Sequence, residues 1–201
     1  MNEHIDRVKK WIPEWCDKIA EFYHKHNMKI DGFRTRIITF GDYRLQHEAA
    51  IQVTDFFDFK HKREKFLSVL NSVKILPGAV TSVAGMEALS YAIHSDWNDG
   101  LNKRQYIIVF SNSPINDIDD PEIVSFHMKG IPASKVDFLV RKDRLCPIGI
   151  FWLMVPYTEG WRYVIDNVSN TVAYPSEAGK GLEENKYDYD TFFSDIPLGF
   201  E

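Results

Sequence analysis

At 201 residues, 44% of them hydrophobic and 14% aromatic, the chain can bury one substantial core and asks for no second domain. A formal charge of −5 and a pI near 5.8 argue against nucleic acid as the main partner, because binding a phosphate backbone needs clustered cations to release counterions. Its two cysteines, Cys16 and Cys146, lack metal-ligand spacing, no charged-then-apolar leader opens the chain, and the longest apolar run, 148–156, is too short to span a membrane; a cytoplasmic protein without a membrane partner is expected.

Ile5, Val8, Ile12, Cys16, Ile19 and Tyr23 recur at three- and four-residue steps, the mark of one helical face, and the helix should end near His26-Asn27. Pro13 removes a hydrogen bond inside it and predicts a kink or restart at 11–13. Strands follow at 35–40, closed by Gly41-Asp42, and at 50–55, where Ile51 and Val53 alternate with polar residues; the short connection suits an antiparallel pair. A helix over 60–73 puts Phe66, Val69, Leu70 and Val73 on one face, and its basic opening, Lys60-His-Lys-Arg-Glu-Lys65, reads as a solvated helix start. After a turn at Pro77-Gly78, a helix capped by Thr81 or Ser82 should run to about His94, with Met86, Leu89, Ala92 and Ile93 inward.

The run 105–110 is β-branched and aromatic and ends in Ser111-Asn112-Ser113-Pro114, as expected of a strand in the middle of a parallel sheet. A less regular polar stretch, 115–132, precedes a helix over 134–145 carrying Val136, Leu139 and Val140. The segment 148–155 is apolar almost throughout, as in a strand covered on both faces. A short helix near 159–168, a strand at 171–174, a loop at Gly179-Lys-Gly181 and a last helix from Asp188 complete the chain. Helices alternating with strands give the class α/β, a three-layer α/β/α sandwich with a mostly parallel sheet over 1–175. Residues 176–201 are expected to form a C-terminal extension with a short helix packing on that domain.

Catalytic patterns are sparse. The glycines at 78, 85, 179 and 181 fit neither phosphate-loop nor dinucleotide spacing, no histidines pair as zinc ligands, and Gly-x-Ser-x-Gly is absent. Cys16 falls on a buried helix face and Cys146 directly precedes an apolar strand, so both read as core residues rather than nucleophiles. Carboxylates cluster at Asp117, Asp119 and Asp120, and at Glu183 and Glu184 with Asp188 and Asp190, without calcium-loop spacing; solvated acidic loops are expected. Trp161, Tyr163, Tyr187 and Tyr189 mark either a partner surface or packing of the C-terminal segment, and the sequence leaves both open.

Taken together, Arg36-Ile-Ile-Thr-Phe-Gly-Asp42, then Pro77-Gly-Ala-Val-Thr-Ser-Val-Ala-Gly-Met-Glu-Ala-Leu-Ser-Tyr-Ala-Ile93, then Tyr106-Ile-Ile-Val-Phe-Ser-Asn-Ser-Pro114 resemble a von Willebrand factor type A (vWA) domain, in order of elements over about 1–175. The most specific part is the glycine turn followed by Thr81 and the Gly-x-Glu-Ala-Leu-x-x-Ala helix. Residues 174–183 are similar to bacterial members, including tellurium-resistance-associated A domains. The resemblance implies a Rossmann-like fold whose first strand ends in Asp-x-Ser-Gly-Ser, often followed by methionine. In the family those residues, with a later threonine and aspartate, form a metal-ion-dependent adhesion site (MIDAS) for magnesium or manganese.

Met1 stands about where that trailing methionine would, so the resemblance places the N-terminal strand and its motif upstream of this sequence. The expectation is a truncated longer protein, the other outcomes being a sheet closed without that strand or one completed by a partner's strand. The family threonine maps to Thr81, with Ser82 the alternative, and the family aspartate maps to Asn112. A neutral amide in place of a carboxylate removes one of the few charges that offset a divalent ion's dehydration, so no cofactor is expected beyond weak Mg2+ or Mn2+ in a chain that carries the upstream motif.

The implied function is a non-enzymatic interaction module of bacterial or phage type, meeting a protein partner at the carboxyl edge of the sheet through Gly41, Asp42, Ser82, Ser111 and Ser113, beside the degenerate metal positions Thr81 and Asn112. Two alternatives stand beside it: a metal-dependent hydrolase or phosphatase using Asp42, Asp117, Asp119 or Asp120, and a metal-free structural subunit of a larger assembly in which Asn112 caps a turn.

Overall fold

The apolar stripe at the start of the chain folds as a helix of 24 residues in the computed structural model, which describes residues 2–25, 27, 32–74, 82–98, 105–120, 134–147 and 149–174. In chain order the described elements are α1 (Asn2–Lys25), β1 (Arg34–Thr35), β2 (Ile38–Phe40), α2 (Tyr43–Gln46), β3 (Ile51–Val53), β4 (Phe57–Asp58), α3 (Phe59–Ser72), α4 (Gly85–Ile93), β5 (Gln105–Phe110), α5 (Lys135–Leu145), β6 (Gly149–Met154), α6 (Glu159–Asn167) and β7 (Thr171–Ala173). They fall into two compact units. One holds the described residues up to Arg36 and from Phe56 to Lys74; the other holds Ile37–Asp55 and those from Ser82 to Tyr174.

In the first unit α1 continues through Pro13 as one helix rather than restarting there, and it buries Trp15, Cys16 and Ile19 beyond the proline. It ends at Lys25, and just beyond it Asn27, with a positive φ of 55°, donates its N–H to the His24 carbonyl at 3.1 Å. α3 begins one residue before the expected Lys60, because Asp58 accepts the Lys60 and His61 N–H groups and so caps it. Lys9 Nζ of α1 donates to the Asn71 carbonyl at 2.9 Å, and Arg63 of α3 grips the Asp17 carboxylate with both guanidinium nitrogens. Phe57, Phe59 and Phe66 stack edge to face at 5.6–5.8 Å, with Phe33 against Phe59 at 5.5 Å.

The continuous strand expected over 35–40 is two short ones. Arg34–Thr35 pairs antiparallel with Phe57–Asp58, while Ile38–Phe40 pairs antiparallel with Ile51–Val53. The ladder breaks at 36–37, where the Thr54 hydroxyl takes the Ile37 N–H at 3.0 Å. The antiparallel reading of β2 and β3 holds; of the two alternating apolar residues Ile51 is buried and Val53 is exposed.

The second unit is centred on a parallel sheet of order β5-β6-β7, with Ile107 opposite Phe151 and Val109 opposite Leu153. Those four residues, with Met86, Leu89 and Ile93 of α4, Phe138 of α5 and Trp161 and Val164 of α6, make one core. β6 is buried at all six positions, as its unbroken apolar run requires. The expectation of one mostly parallel sheet is met only in this unit. Among the described residues the strands form three small sheets, only one of them parallel, and β5 lies at that sheet's edge. The reason is legible in β5, whose Tyr106, Ile108 and Phe110 alternate as half-buried residues, so β6 is the better central strand.

Two helices differ in detail from expectation. α4 starts at Gly85 and has no side-chain cap, because Val83 is drawn into a parallel bridge with Ile115 and the Ala84 N–H donates to the Gly41 carbonyl at 2.8 Å. α5 turns Phe138 and Lys142 inward and leaves Val136 and Val140 exposed, since burying the larger aromatic surface sets its rotation. Among the described residues no helix is long and apolar enough to cross a membrane. The turn at Pro77-Gly78, the loop at Gly179-Lys-Gly181 and the extension 176–201 lie outside the described residues.

Candidate functional site

Beyond the carboxyl end of β5 the chain leaves the ladder with the Ser111 N–H on the Met154 carbonyl at 3.0 Å. A tight polar turn follows. The Ser111 hydroxyl donates to the Ser113 carbonyl at 3.1 Å and accepts the Ser113 N–H at 3.2 Å, while the Ser113 hydroxyl donates to Asn112 Oδ1 at 3.2 Å. Trp161 Nε1 fixes the same turn by donating to the Ser113 carbonyl at 2.9 Å.

The loops after β2 and before α4 are sewn to this one through the backbone. Val83 N–H donates to the Pro114 carbonyl and Asn116 N–H to the Val83 carbonyl, both at 2.8 Å. Gly41 is buried and bonded on both sides, its N–H to the Ala50 carbonyl and its carbonyl to the Ala84 N–H.

Asp42, 3% exposed, accepts the Arg44 N–H at 2.9 Å and thereby caps α2, while its own N–H donates to Gln46 Oε1 at 2.7 Å. The Arg44 guanidinium then spans the edge, donating at 3.2 Å to both Asn116 Oδ1 and Asp120 Oδ2. Ser82 donates its hydroxyl to the same Asn116 oxygen. Arginine carries only donors, so the oxygen of the Asn116 amide must face it, and the orientation of this 4% exposed side chain is fixed by its partners. Beneath lies Tyr43, whose phenol is pushed up by burial and, secondarily, by the nearby Glu87 charge.

The acidic loop is committed to internal contacts. Asp117 accepts the Asp119 N–H at 3.1 Å and Lys135 Nζ at 2.6 Å. Partial burial pulls the Asp117 carboxyl up, but the Lys135 hydrogen bond, the Asp119 N–H and the Lys135 charge outweigh it and leave it below the ordinary 3.8. The same bond raises the Lys135 ammonium.

The structure therefore brings Gly41, Asp42 and Ser82 together with Arg44 and Asn116, and sets Ser111, Asn112 and Ser113 in the adjoining turn. Thr81 lies outside the described residues. Arg44 and Asn116 carry no local motif; their bond joins positions 72 apart in sequence. Ser82, Ser111, Asn112 and Ser113 offer neutral oxygens, and among the described residues no three histidine, cysteine, aspartate or glutamate side chains are grouped to hold a metal ion. Both thiols are buried, and burial pushes Cys16 up to about 12 and Cys146 up to about 11, far from a reactive thiolate. Trp161 belongs to the core, and Tyr163 packs against it beneath Lys135; Tyr187 and Tyr189 are outside the described residues.

No family model matches the chain, and no curated protein or solved structure matches it either.

Proposed function

We propose that the chain is a non-enzymatic interaction module of vWA type, a three-layer sandwich, whose protein partner meets the polar edge at the carboxyl ends of β2 and β5. One observation carries the reading: three sequence-distant loops, at 41–44, 82–84 and 111–116, are held as a single hydrogen-bonded edge by Gly41, Ser82, Arg44 and Asn116. Open α/β sheets place ligands at this edge.

Metal plays a small part in the reading, since the position equivalent to the family aspartate is Asn112, whose amide oxygen is engaged by Ser113. The hydrolase alternative is weaker. Of its carboxylates Asp42, Asp117, Asp119 and Asp120, three already accept, Asp42 from the Arg44 N–H, Asp117 from Lys135 and Asp120 from the Arg44 guanidinium. The structural-subunit alternative draws support from the self-satisfied Ser111–Ser113 turn.

Co-purification with a tagged chain, followed by identification of retained proteins, tests the reading. A partner retained by the wild type and by Val136→Glu, but lost on Ser113→Arg and on Arg44→Glu, supports an edge contact. A partner lost only on Val136→Glu would move the contact to α5. Calorimetric titration with magnesium separates the metal question: a micromolar, stoichiometric signal abolished by Thr81→Ala would establish a competent site, and turnover in a metal-supplemented hydrolase screen lost on Asp42→Asn would establish an enzyme.

A further inference from the structure

The charge of the chain is unevenly distributed. Arg34 and Arg36 together with the run 60–65 carry six cations, Arg34, Arg36, Lys60, Lys62, Arg63 and Lys65, against the single carboxylate Glu64, in a protein of net charge −5. All six belong to the first unit. Arg34 and Arg36 flank one ring, their guanidinium carbons 4.6 and 4.9 Å from the Phe56 centroid, and Arg63 lies 4.8 Å from that of Phe59. Stacking uses the flat face of a guanidinium while its N–H fork lies in the plane, so one arginine can stack on an aromatic ring and pair with a carboxylate at once. Asp17 accepts from Arg63, and Asp58, opposite Arg34 in the β1–β4 ladder, is bonded to the His61 ring and caps the start of α3. Lys60, Lys62 and Lys65 are exposed on the first turns of α3.

The complementary charge is in the same chain. Residues 182–201, outside the described residues, carry six carboxylates, Glu183, Glu184, Asp188, Asp190, Asp195 and Glu201, against one lysine, together with five aromatic side chains. We propose that this acidic, aromatic C-terminal segment is the occupant of the basic Arg34–Arg36 and Lys60–Lys65 surface, its carboxylates meeting the guanidinium and ammonium groups. Covalent continuity favours it over a separate acidic protein, because a tethered segment acts at an effective concentration in the millimolar range. It also accounts for a cationic surface on a protein whose overall charge would repel a nucleic acid.

Zero-length carbodiimide coupling of the full chain, read by peptide mass spectrometry, tests the proposal. Amide links from Glu183, Glu184, Asp188 or Asp190 to Lys60, Lys62 or Lys65 are expected within one chain, falling at least about threefold between low salt and ~0.5 M NaCl as screening shortens the range of the attraction. Arg34→Gln combined with Arg36→Gln should lower the yield to a similar extent. Should that variant lose its fold by circular dichroism, Asp188→Asn with Asp190→Asn, which keeps Glu183 and Glu184 for coupling, must show the same fall. Absence of these links, links indifferent to salt, or links only between chains would overturn the proposal. Binding of a DNA duplex by the full chain without the links would overturn it in favour of nucleic acid.

Discussion

Trp161 of α6 and Ser113 of the turn after β5 are joined by a hydrogen bond from the indole N–H to a backbone carbonyl, at 2.9 Å. The indole is fully buried, so one side chain both fills the core and holds the polar turn in place.

Replacing Trp161 by Phe keeps most of the buried ring and removes the donor. The expected loss is about 1–2 kcal/mol, against about 3–5 kcal/mol for Trp161→Ala, which also opens a cavity. Urea denaturation of both variants checks this. Equal losses would show that the hydrogen bond, and not the ring, dominates.

Ile115 sits in two glycine notches. A Cβ at Gly85 would collide with Ile115 Cγ2 and approach Trp161 Cη2 to 2.9 Å, and a Cβ at Gly160 would meet Ile115 Cγ1 at 2.5 Å. Gly85→Ala and Gly160→Ala should each destabilise by roughly 1–3 kcal/mol through overpacking. Ile115→Ala, which removes the γ carbons that both notches meet, should recover part of the Gly160→Ala loss, so that the double-variant losses fall short of additivity. Thermal melting of the four chains decides it; strict additivity would refute the shared notch.

The Asp17 carboxyl is held below its ordinary 3.8, first by the hydrogen bond from Arg63 and then, against a smaller opposing effect of burial, by the Arg63 charge. A depressed carboxyl contributes stability that is present above 3.8 and lost as pH falls below it, through the folded value. Both partners are about half exposed, which limits the effect to under about 1 kcal/mol. Asp17→Asn should therefore lower stability slightly at pH 7 and flatten the acid limb below pH 4, as read from denaturation midpoints across pH. An unchanged acid limb would show that solvent screening removes the contribution.

Lys142 of α5 is 1% exposed, its ammonium donating to the Ser169 hydroxyl and lying 3.4 Å from Asp143 Oδ1. A buried charge is costly once its partners go, while an apolar isostere avoids the desolvation altogether. Ser169→Ala should destabilise by about 1–3 kcal/mol, whereas Lys142→Met should be neutral or stabilising. Chemical denaturation distinguishes the two, and a Lys142→Met variant as unstable as Ser169→Ala would mean the ammonium is a net stabiliser.

Much of the second unit was legible from local pattern alone. The bounds 105–110 for β5 follow from its β-branched run and polar stop, and the burial of β6 along its whole length follows from its apolar continuity. The α1 stripe likewise gave a helix ending at 25–27. What the pattern missed depends on distant partners. Ser82 has the chemistry of a helix cap, but Asn116 takes its hydroxyl, and the helix starts later at Gly85. The inward face of α5 turned on whether Phe138 or the valines faced the core, a choice that three apolar residues at mixed spacing do not decide. Arg44 and Asn116 were invisible as site residues because neither sits in a motif and their partnership closes a long loop.

β6 is flanked by a strand on each side and screened from water at every position. Its amide hydrogens cannot be traded for deuterium by fraying, only by opening of the second unit as a whole. Their exchange rates therefore gauge the global unfolding free energy, while the amides of the three-residue β3, with two exposed positions, report local breathing of the hairpin.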